Sequence, residues 1–328
     1  MDKIKIGQIG VGHAHASGKM QAYRASKEYE VVGIVEPDEK LRASAQKNPV
    51  YKDLRWMTRE QLLNVPGLQA VAVETSVRNL LSNAEACIDA GKHIHLDKPA
   101  GSSLPHFKRI LTKATAKHLC VQMGYMYRYN PAVLMLRDFL KKGWLGTPFE
   151  VHTVMSKVVN AASRKRLAEY PGGMMFELAC HIIDLTIGVL GKPKRVTPYS
   201  QHASSLKDSL LDNMLAVLEY PKALATVKTS AMEVEGFARR QFTVCGTAGS
   251  FHIQPLDRPD VWLALSRPRE KYRKGVQDIK IGPYQRYVGD AKDFAKIIRG
   301  EKDSDFQPSH DLAVQETVLR ACGLPIDR

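Results

Sequence analysis

The sequence offers little to an extracellular, membrane or nucleic-acid role. Its five cysteines (Cys87, Cys120, Cys180, Cys245 and Cys322) are scattered, odd in number and without a CxxC pair. A disulfide framework or a thiolate zinc site is therefore not expected, and the thiols read as reduced. No apolar run reaches the length of about 18 residues that a membrane helix needs. The opening "MDKIKIGQIGVG" lacks the apolar core and cleavage site of a signal peptide. Together these features lead us to expect a cytoplasmic protein. The net charge is +14, but the denser basic patches, "SRKR" at 163–166 and "SRPREKYRK" at 266–274, are not interleaved with aromatics. They carry no nucleic-acid motif and read as solvated loops, or else as contacts for an anionic small molecule. Neither nucleic acid nor a membrane is an expected partner. Repeats and low-complexity linkers are absent as well.

What is present is a chain of 328 residues, 44% hydrophobic and 25% charged, an ordinary globular composition too long for one core. Its first third alternates short apolar strands with helices. "KIKIGQIGVG", "YEVVGIVEP", "LQAVAVET", "KHIHLDKP" and "LCVQMGYM" read as strands, with helices from Ala14 to Ser26 and at "EKLRASAQ", "NLLSNAEACIDAG" and "LPHFKRILTKATAK" between them. That alternation predicts a doubly wound parallel sheet. After Met123 the pattern changes. A helix at "NPAVLMLRDFLKKGWLG" is followed by longer alternating runs that turn at Tyr220–Ala223 and Gly246–Gly249. The expectation is an α/β chain of two domains: residues 1–123, a Rossmann domain, and residues 124–328, an α+β domain with a large, mostly antiparallel sheet.

The stretch "GQIGVGHAHASG" closes the first strand and opens the first helix. Gly10 and Gly12 match the first two glycines of G-x-G-x-x-G, where a missing Cβ lets backbone approach a pyrophosphate. The third glycine position holds His15. The second strand ends in Glu36, placed to accept from both adenosine ribose hydroxyls and to repel a 2′-phosphate, so NAD is expected over NADP. A glycine turn without a ligand is the alternative. His13 and His15, and His93, His95 and Asp97 along one strand face, do not form a ligand set with recognised zinc spacing, and no metal is expected.

The stretch "GGMMFELACHIID" poses a different question. Glu177, His181 and Asp184 stand at i, i+4 and i+7, one face of a helix, in an otherwise apolar run. A solvent face, or a core histidine paired with Glu177, would explain them without function. Lys98, in "HLDKPAG", ends a parallel strand, the edge at which open α/β sheets bind ligands.

These segments together resemble the Gfo/Idh/MocA oxidoreductases, over nearly the whole chain. "AGKHIHLDKPAG" is similar to the family's EKP stretch, "GYMYRYNPAVLMLRDFLKKGWLGTP" to its helix with a closing glycine turn, and "GGMMFELACHIIDLTIGVLG" to its G-G…D-x-x-x-H-x-x-D segment. The resemblance implies NAD-dependent transfer of hydride from a secondary hydroxyl of a sugar, cyclitol or related polyol. It implies a homodimer or homotetramer, with the Glu177–His181 stripe facing the nicotinamide across a domain cleft. It assigns catalysis to Lys98, His181 as base and Glu177 as the acid beside it. It assigns cofactor contacts to Gly10, Gly12, His13, His15, Glu36, Thr75, Asp97 and Lys98, and substrate contacts to Arg128 and Asp184; Arg164, in the basic "SRKR" patch, is a further candidate, for contact with an acidic substrate. Three positions depart from the pattern: Asp97 replaces a glutamate, Glu177 replaces an aspartate, and "TSVRNL" (75–80) lacks the family's proline and histidine. Two other readings stay open: a redox-neutral hydrolase or lyase with transient sugar oxidation, and a non-catalytic NAD-binding regulator.

Overall fold

The computed structural model describes residues 2–327. Residues up to Met126 together with Gln285–Pro308 form one compact unit. Tyr127–Tyr284 together with Ser309–Ile326 form another.

Among these residues the first unit holds five strands: β1 (Ile4–Ile9), β2 (Tyr29–Val35), β3 (Leu68–Val73), β4 (His93–Leu96) and β5 (Val121–Met123). They form a parallel sheet in the order β2-β1-β3-β4-β5. A sheet covered on both faces needs continuous apolar runs, and β3 is buried at every position except Gln69. The connections run through α1 (Ala16–Ala25), α2 (Glu39–Gln46), α3 (Arg59–Leu63), α4 (Val77–Asp89) and α5 (Leu104–Ala116). Local chemistry starts several of them. Asp38 accepts from the Lys40 and Leu41 amides at α2, Ser103 accepts from His106 at α5, and Thr58 with Gln61 forms a reciprocal capping box at α3. At α1, by contrast, the N-cap residue is His15 and makes no side-chain cap bond. The strand order reverses between β1 and β3, and ligands bind beyond the carboxyl ends of strands at such a switch point.

The second unit contains α6 (Pro131–Lys141), β6 (Pro148–Val154), α7 (Ala161–Ala168), α8 (Gly173–Glu177), α9 (Cys180–Leu190), β7 (Arg195–Gln201), β8 (Asn213–Tyr220), β9 (Ala223–Ser230), β10 (Gln241–Gly246), β11 (Gly249–Ile253), β12 (Asp260–Leu265) and β13 (Gly275–Lys280). Its sheet runs β13-β12-β11-β10-β6-β9-β8-β7, antiparallel except for the β6–β9 pair. Both hairpins expected from the sequence are present. One face buries Val151, Val227, Val244, Phe251 and Leu263. The register aligns Val217, Thr226, His152, Thr243, His252 and Trp262 in a row on the other face. No helix among the described residues is long and apolar enough to cross a membrane.

The last two helices separate. α10 (Val288–Ile298) belongs to the first unit and α11 (Pro308–Ala321) lies almost wholly in the second. The expected division at residue 123 is corrected accordingly. Ala291, Phe294 and Ala295 of α10 pack with Ile4, Ile6, Tyr23 and Tyr29, and the Tyr29 hydroxyl donates to the Ala291 carbonyl at 2.6 Å. An amphipathic helix shows in its sequence which face is buried, but not which core receives it.

Within the second unit a buried ion cluster joins α9 to α11. Arg128 donates from Nε and Nη2 to Asp184 of α9, at 3.0 and 2.6 Å, and from Nη2 to Asp311 of α11 at 2.5 Å. All three residues are buried. Arg128→Leu leaves both carboxylates in place without their cation. It should cost about 3–5 kcal/mol in urea unfolding; a loss below about 1 kcal/mol, the scale of an exposed pair, would show that the cluster does not hold these helices.

Candidate functional site

At the carboxyl edge of the first unit, β1 passes into the glycine loop. Gly10 has φ +95°, and a Cβ there would lie 2.6 Å from the backbone of Glu74 and Thr75, so no other residue fits. A Cβ at Gly12 would meet Leu41 at 3.1 Å. Glu36, directly after β2, accepts from the Val11 amide (Oε2, 3.0 Å) and the Asp38 amide (Oε1, 3.1 Å). The acid is thereby tied to the loop whose glycines would cradle a pyrophosphate. Thr75 lies against Gly10 through its backbone, and its hydroxyl donates to the Ser76 carbonyl. Bare backbone at Gly10 and Gly12 with a carboxylate at the end of β2 fits a dinucleotide.

Next to this cradle lies a buried polar cluster centred on Asp97, just beyond β4. His13 pairs with it through Nδ1, and His15 Nδ1 lies 3.2 Å from its Oδ1. The His15 amide also reaches His13 Nδ1 at 3.4 Å, but the closer carboxylate favours the tautomer with a proton on that nitrogen. Lys19 of α1, fully buried, places Nζ 3.4 Å from Asp97 Oδ1 and 2.7 Å from Glu74 Oε1. Gly124 leaves room for this ammonium, since a Cβ there would lie 2.5 Å from Nζ. Burial works against the charge on Asp97, but His13, Lys19 and His15 outweigh it and hold the carboxyl well below its usual range. Burial and the Asp97 charge push Glu74 up to about 8 against the pull of Lys19. Burial takes His15 down to about 4, with Asp97 opposing. Lys19, although buried, is held above the usual lysine range by Asp97 and Glu74. Lys98 is itself buried, at a cis Lys98–Pro99 peptide.

Lys19 and Glu74 were not among the sequence candidates. The one available signal was that Lys19 falls inside the buried stripe of Ala16, Met20 and Tyr23 on α1. His93 and His95 separate from the loop histidines. His93 Nδ1 accepts from the Cys120 amide at 3.0 Å, and His95 pairs with the Tyr23 hydroxyl.

In the second unit, the single helix expected over "GGMMFELACHIID" is broken. α8 ends at Glu177 and α9 begins at Cys180. Between them the Ala179 amide bonds the Met174 carbonyl, an i→i−5 turn of the kind that interrupts helices at functional sites. The break falls inside the proposed stripe, with Glu177 at the end of α8 and His181 and Asp184 on α9. His181 is 2% exposed with the Tyr127 ring edge-on at 5.2 Å, and Asp184 faces Arg128 and His310. A solvent face is excluded as the explanation, because every residue from Cys180 to Ile187 is buried.

The expected substrate contacts turn inward. Arg128 and Asp184 bind each other, as above. Arg164, on α7, donates to Asp208 (Nε, 2.6 Å), Asp212 (Nη2, 2.8 Å) and Ser204. Buried at 1% exposure, it is an internal tie rather than the exposed rim cation suggested by "SRKR".

With this geometry in view, the comparisons are decisive about lineage. Residues 4–125 match the model for the oxidoreductase family, NAD-binding Rossmann fold, and residues 133–252 match the GFO/IDH/MocA C-terminal domain. The chain belongs to the Gfo/Idh/MocA family of oxidoreductases. Its first unit is accordingly an NAD-binding Rossmann domain. The chain is 26% identical to the Escherichia coli (strain K12) oxidoreductase YhhX, over 66% of this chain and 62% of that one. It is 24% identical to the Bacillus subtilis (strain 168) scyllo-inositol 2-dehydrogenase (NADP(+)) IolW, over 82% of this chain and 74% of that one. In fold it is similar to an oxidoreductase from Agrobacterium radiobacter solved with NAD+, L-tartaric acid and magnesium: the TM-score is 0.84 at 16% identity, covering 98% of this chain and 97% of the other.

For this family member the remaining question at the site is charge. His13, His15 and Asp97 bring three donor atoms within 4.8 Å of one another, as do Asp184, His310 and Asp311. In each group a buried cation, Lys19 or Arg128, already neutralises the carboxylates at 2.5–3.4 Å, so we read both as ion-pair clusters. In the first, Glu74 is the surplus acid: its Oε2 is buried with no hydrogen-bond partner among the described residues. A carboxyl raised from 4.5 to about 8 on folding contributes stability that is complete below 4.5 and lost as pH rises through 8. Glu74→Gln keeps an acceptor for Lys19 and removes this titration. The variant should lose less melting temperature than the wild type between pH 5 and pH 8.5. Equal losses would show that Glu74 is ionised throughout.

Proposed function

We propose that this oxidoreductase uses NAD to oxidise a secondary hydroxyl of a sugar, cyclitol or related polyol. The observation that carries the reading is Lys98, a buried lysine at the carboxyl end of β4, in the same unit and at the same sheet edge as the glycine cradle. The inositol dehydrogenase named above supports a polyhydroxylated substrate.

Removing hydrogen from such a carbon requires the hydroxyl proton to leave as well. NAD, when bound, supplies the hydride acceptor. A neutral imidazole at His181 suits the proton near neutral pH. Lys98, as a cation, would donate to the same oxygen and stabilise its developing negative charge. Glu177, at the end of α8, would orient the imidazole and favour its protonated form.

Lys98→Met removes charge and donors at nearly constant length, and His181→Ala removes the base. Each should lower kcat by about a hundredfold or more with little change in NAD affinity, and the double variant should fall well short of the product of the two losses. Full turnover by both single variants on a substrate found by screening sugars and cyclitols for NADH formation would remove the assignment.

The choice between NAD and NADP rests on Glu36. A carboxylate beside a 2′-phosphate is repulsive, so NAD should bind more tightly than NADP, and Glu36→Ser should narrow the gap. Tighter NADP binding by the unmodified chain, in a direct titration, would contradict this.

A further inference from the structure

We propose that the connection between β7 and β8, residues 202–212, is a proton-dependent latch: an imidazolium at His202 closes the loop on itself and completes the charge balance around Arg164, and loss of its proton releases the loop.

The segment, "HASSLKDSLLD", contains no helix or strand, so side chains supply much of its order. His202 bonds to it from both edges of the ring. Nδ1 lies 2.8 Å from the Leu210 carbonyl oxygen, and Nε2 lies 2.8 Å from the Leu206 carbonyl oxygen. A carbonyl oxygen only accepts, so each nitrogen has to donate, and an imidazole donates from both nitrogens only as the cation. A neutral ring in either tautomer would set one lone pair against a carbonyl. The closed loop therefore defines the protonation state of His202 by its hydrogen bonds.

The neighbouring charges require the same cation. Asp208 and Asp212 each place a carboxylate oxygen 3.7 Å from His202 Nδ1. Both acids also accept from Arg164 of α7, and both brace the loop: Asp212 accepts from the Ala203 amide at 2.8 Å and Asp208 from the Leu210 amide at 3.1 Å. Arg164 alone leaves one negative charge over, and the His202 cation balances it. Lys207 on the loop and Lys165 and Arg166 on α7, the other charged side chains of the two segments, are exposed. The Leu210 and Leu206 carbonyls, with burial opposing and Asp212 and Asp208 adding, hold the imidazole above its ordinary 6.5. The sign follows: a cation favoured by folding contributes stability that is complete below 6.5 and is lost as pH rises through the higher, folded-state value.

The test uses the whole chain between about pH 5.5 and pH 8.5 and reads two quantities. The ring signals of His202, assigned through the backbone by NMR, should titrate with a midpoint above 6.5. Deuterium exchange at the Ala203 and Leu210 amides, corrected for the intrinsic rate at each pH, should show protection that is level below that midpoint. Across the midpoint it should fall by about two- to fivefold, the scale of an exposed ion pair. His202→Gln, which carries no titrating group and cannot donate from both positions, should show the lower protection at every pH with no transition. A His202 midpoint at or below 6.5 overturns the proposal. So does protection of the wild-type loop that stays level across the midpoint, or a transition that persists in His202→Gln.

Discussion

The arrangement of the first unit's ligand edge depends on one buried carboxylate, Asp97. An ionised carboxylate away from water costs several kcal/mol unless it is paired and hydrogen-bonded. Here the partners come from one short stretch of chain, residues 13–19. His13 and His15 belong to the loop after β1, and Lys19 belongs to the body of α1. The acid itself ends β4, directly before Lys98. The ion pairs therefore fix three things relative to one another: the glycine loop, the first helix and the lysine turn. The same demand explains Glu74, which shares Lys19 with Asp97. One ammonium shared between two dry carboxylates does not offset the burial of both, and burial and the Asp97 charge push Glu74, the less supported of the two, upward.

The second unit uses a similar device for a different purpose. α9 is apolar and buried nearly throughout, and apolar packing alone distinguishes poorly between small rotations of such a helix. Arg128, forked between Asp184 and Asp311, specifies one. Hydrophobic replacements of comparable volume could be as stabilising; what the ion cluster adds is a defined rotation for the helix that carries His181. The i→i−5 turn before α9 ends the short helix that carries Glu177 and begins the one that carries His181 and Asp184.

Much of this was legible beforehand, for reasons that differ by element. β1 to β5 were readable because parallel strands covered on both faces must be continuously apolar. α6 was readable from the proline near its start and the glycines at its end, and Gly10 from its place in the glycine fingerprint, where the structure shows a positive φ against the β3 turn. The parallel β6–β9 pair was not readable, because strand alternation says which face is buried and nothing about which neighbour a strand takes. α10 was assigned to the wrong unit for the same reason. Lys19 and Arg164 were misjudged or overlooked because a lone basic residue on a helix usually reaches solvent. Only the partners, Glu74 with Asp97 and Asp208 with Asp212, lying 78 positions or fewer away in sequence, make their burial tolerable.

The departures from the family pattern are best understood together. Taken singly, a histidine at the third fingerprint position weakens the match to a dinucleotide loop, and an aspartate before Lys98 merely shortens a side chain. In the folded unit these two residues touch, His15 Nδ1 to Asp97 Oδ1 at 3.2 Å. Space around the carboxylate is tight: a Cβ on Gly124 would lie 3.2 Å from the same oxygen. An acid longer by a methylene would have to pass through the volume that the two imidazoles and the Lys19 ammonium occupy. The shorter acid leaves that volume to the rings, and the rings in turn supply hydrogen bonds that stabilise the acid as a carboxylate. A bulky residue at the glycine position is thereby accommodated at a place where the sheet edge offers it a partner. The two changes constitute a single alteration of the site, in which a longer side chain in the loop and a shorter acid after β4 share one volume.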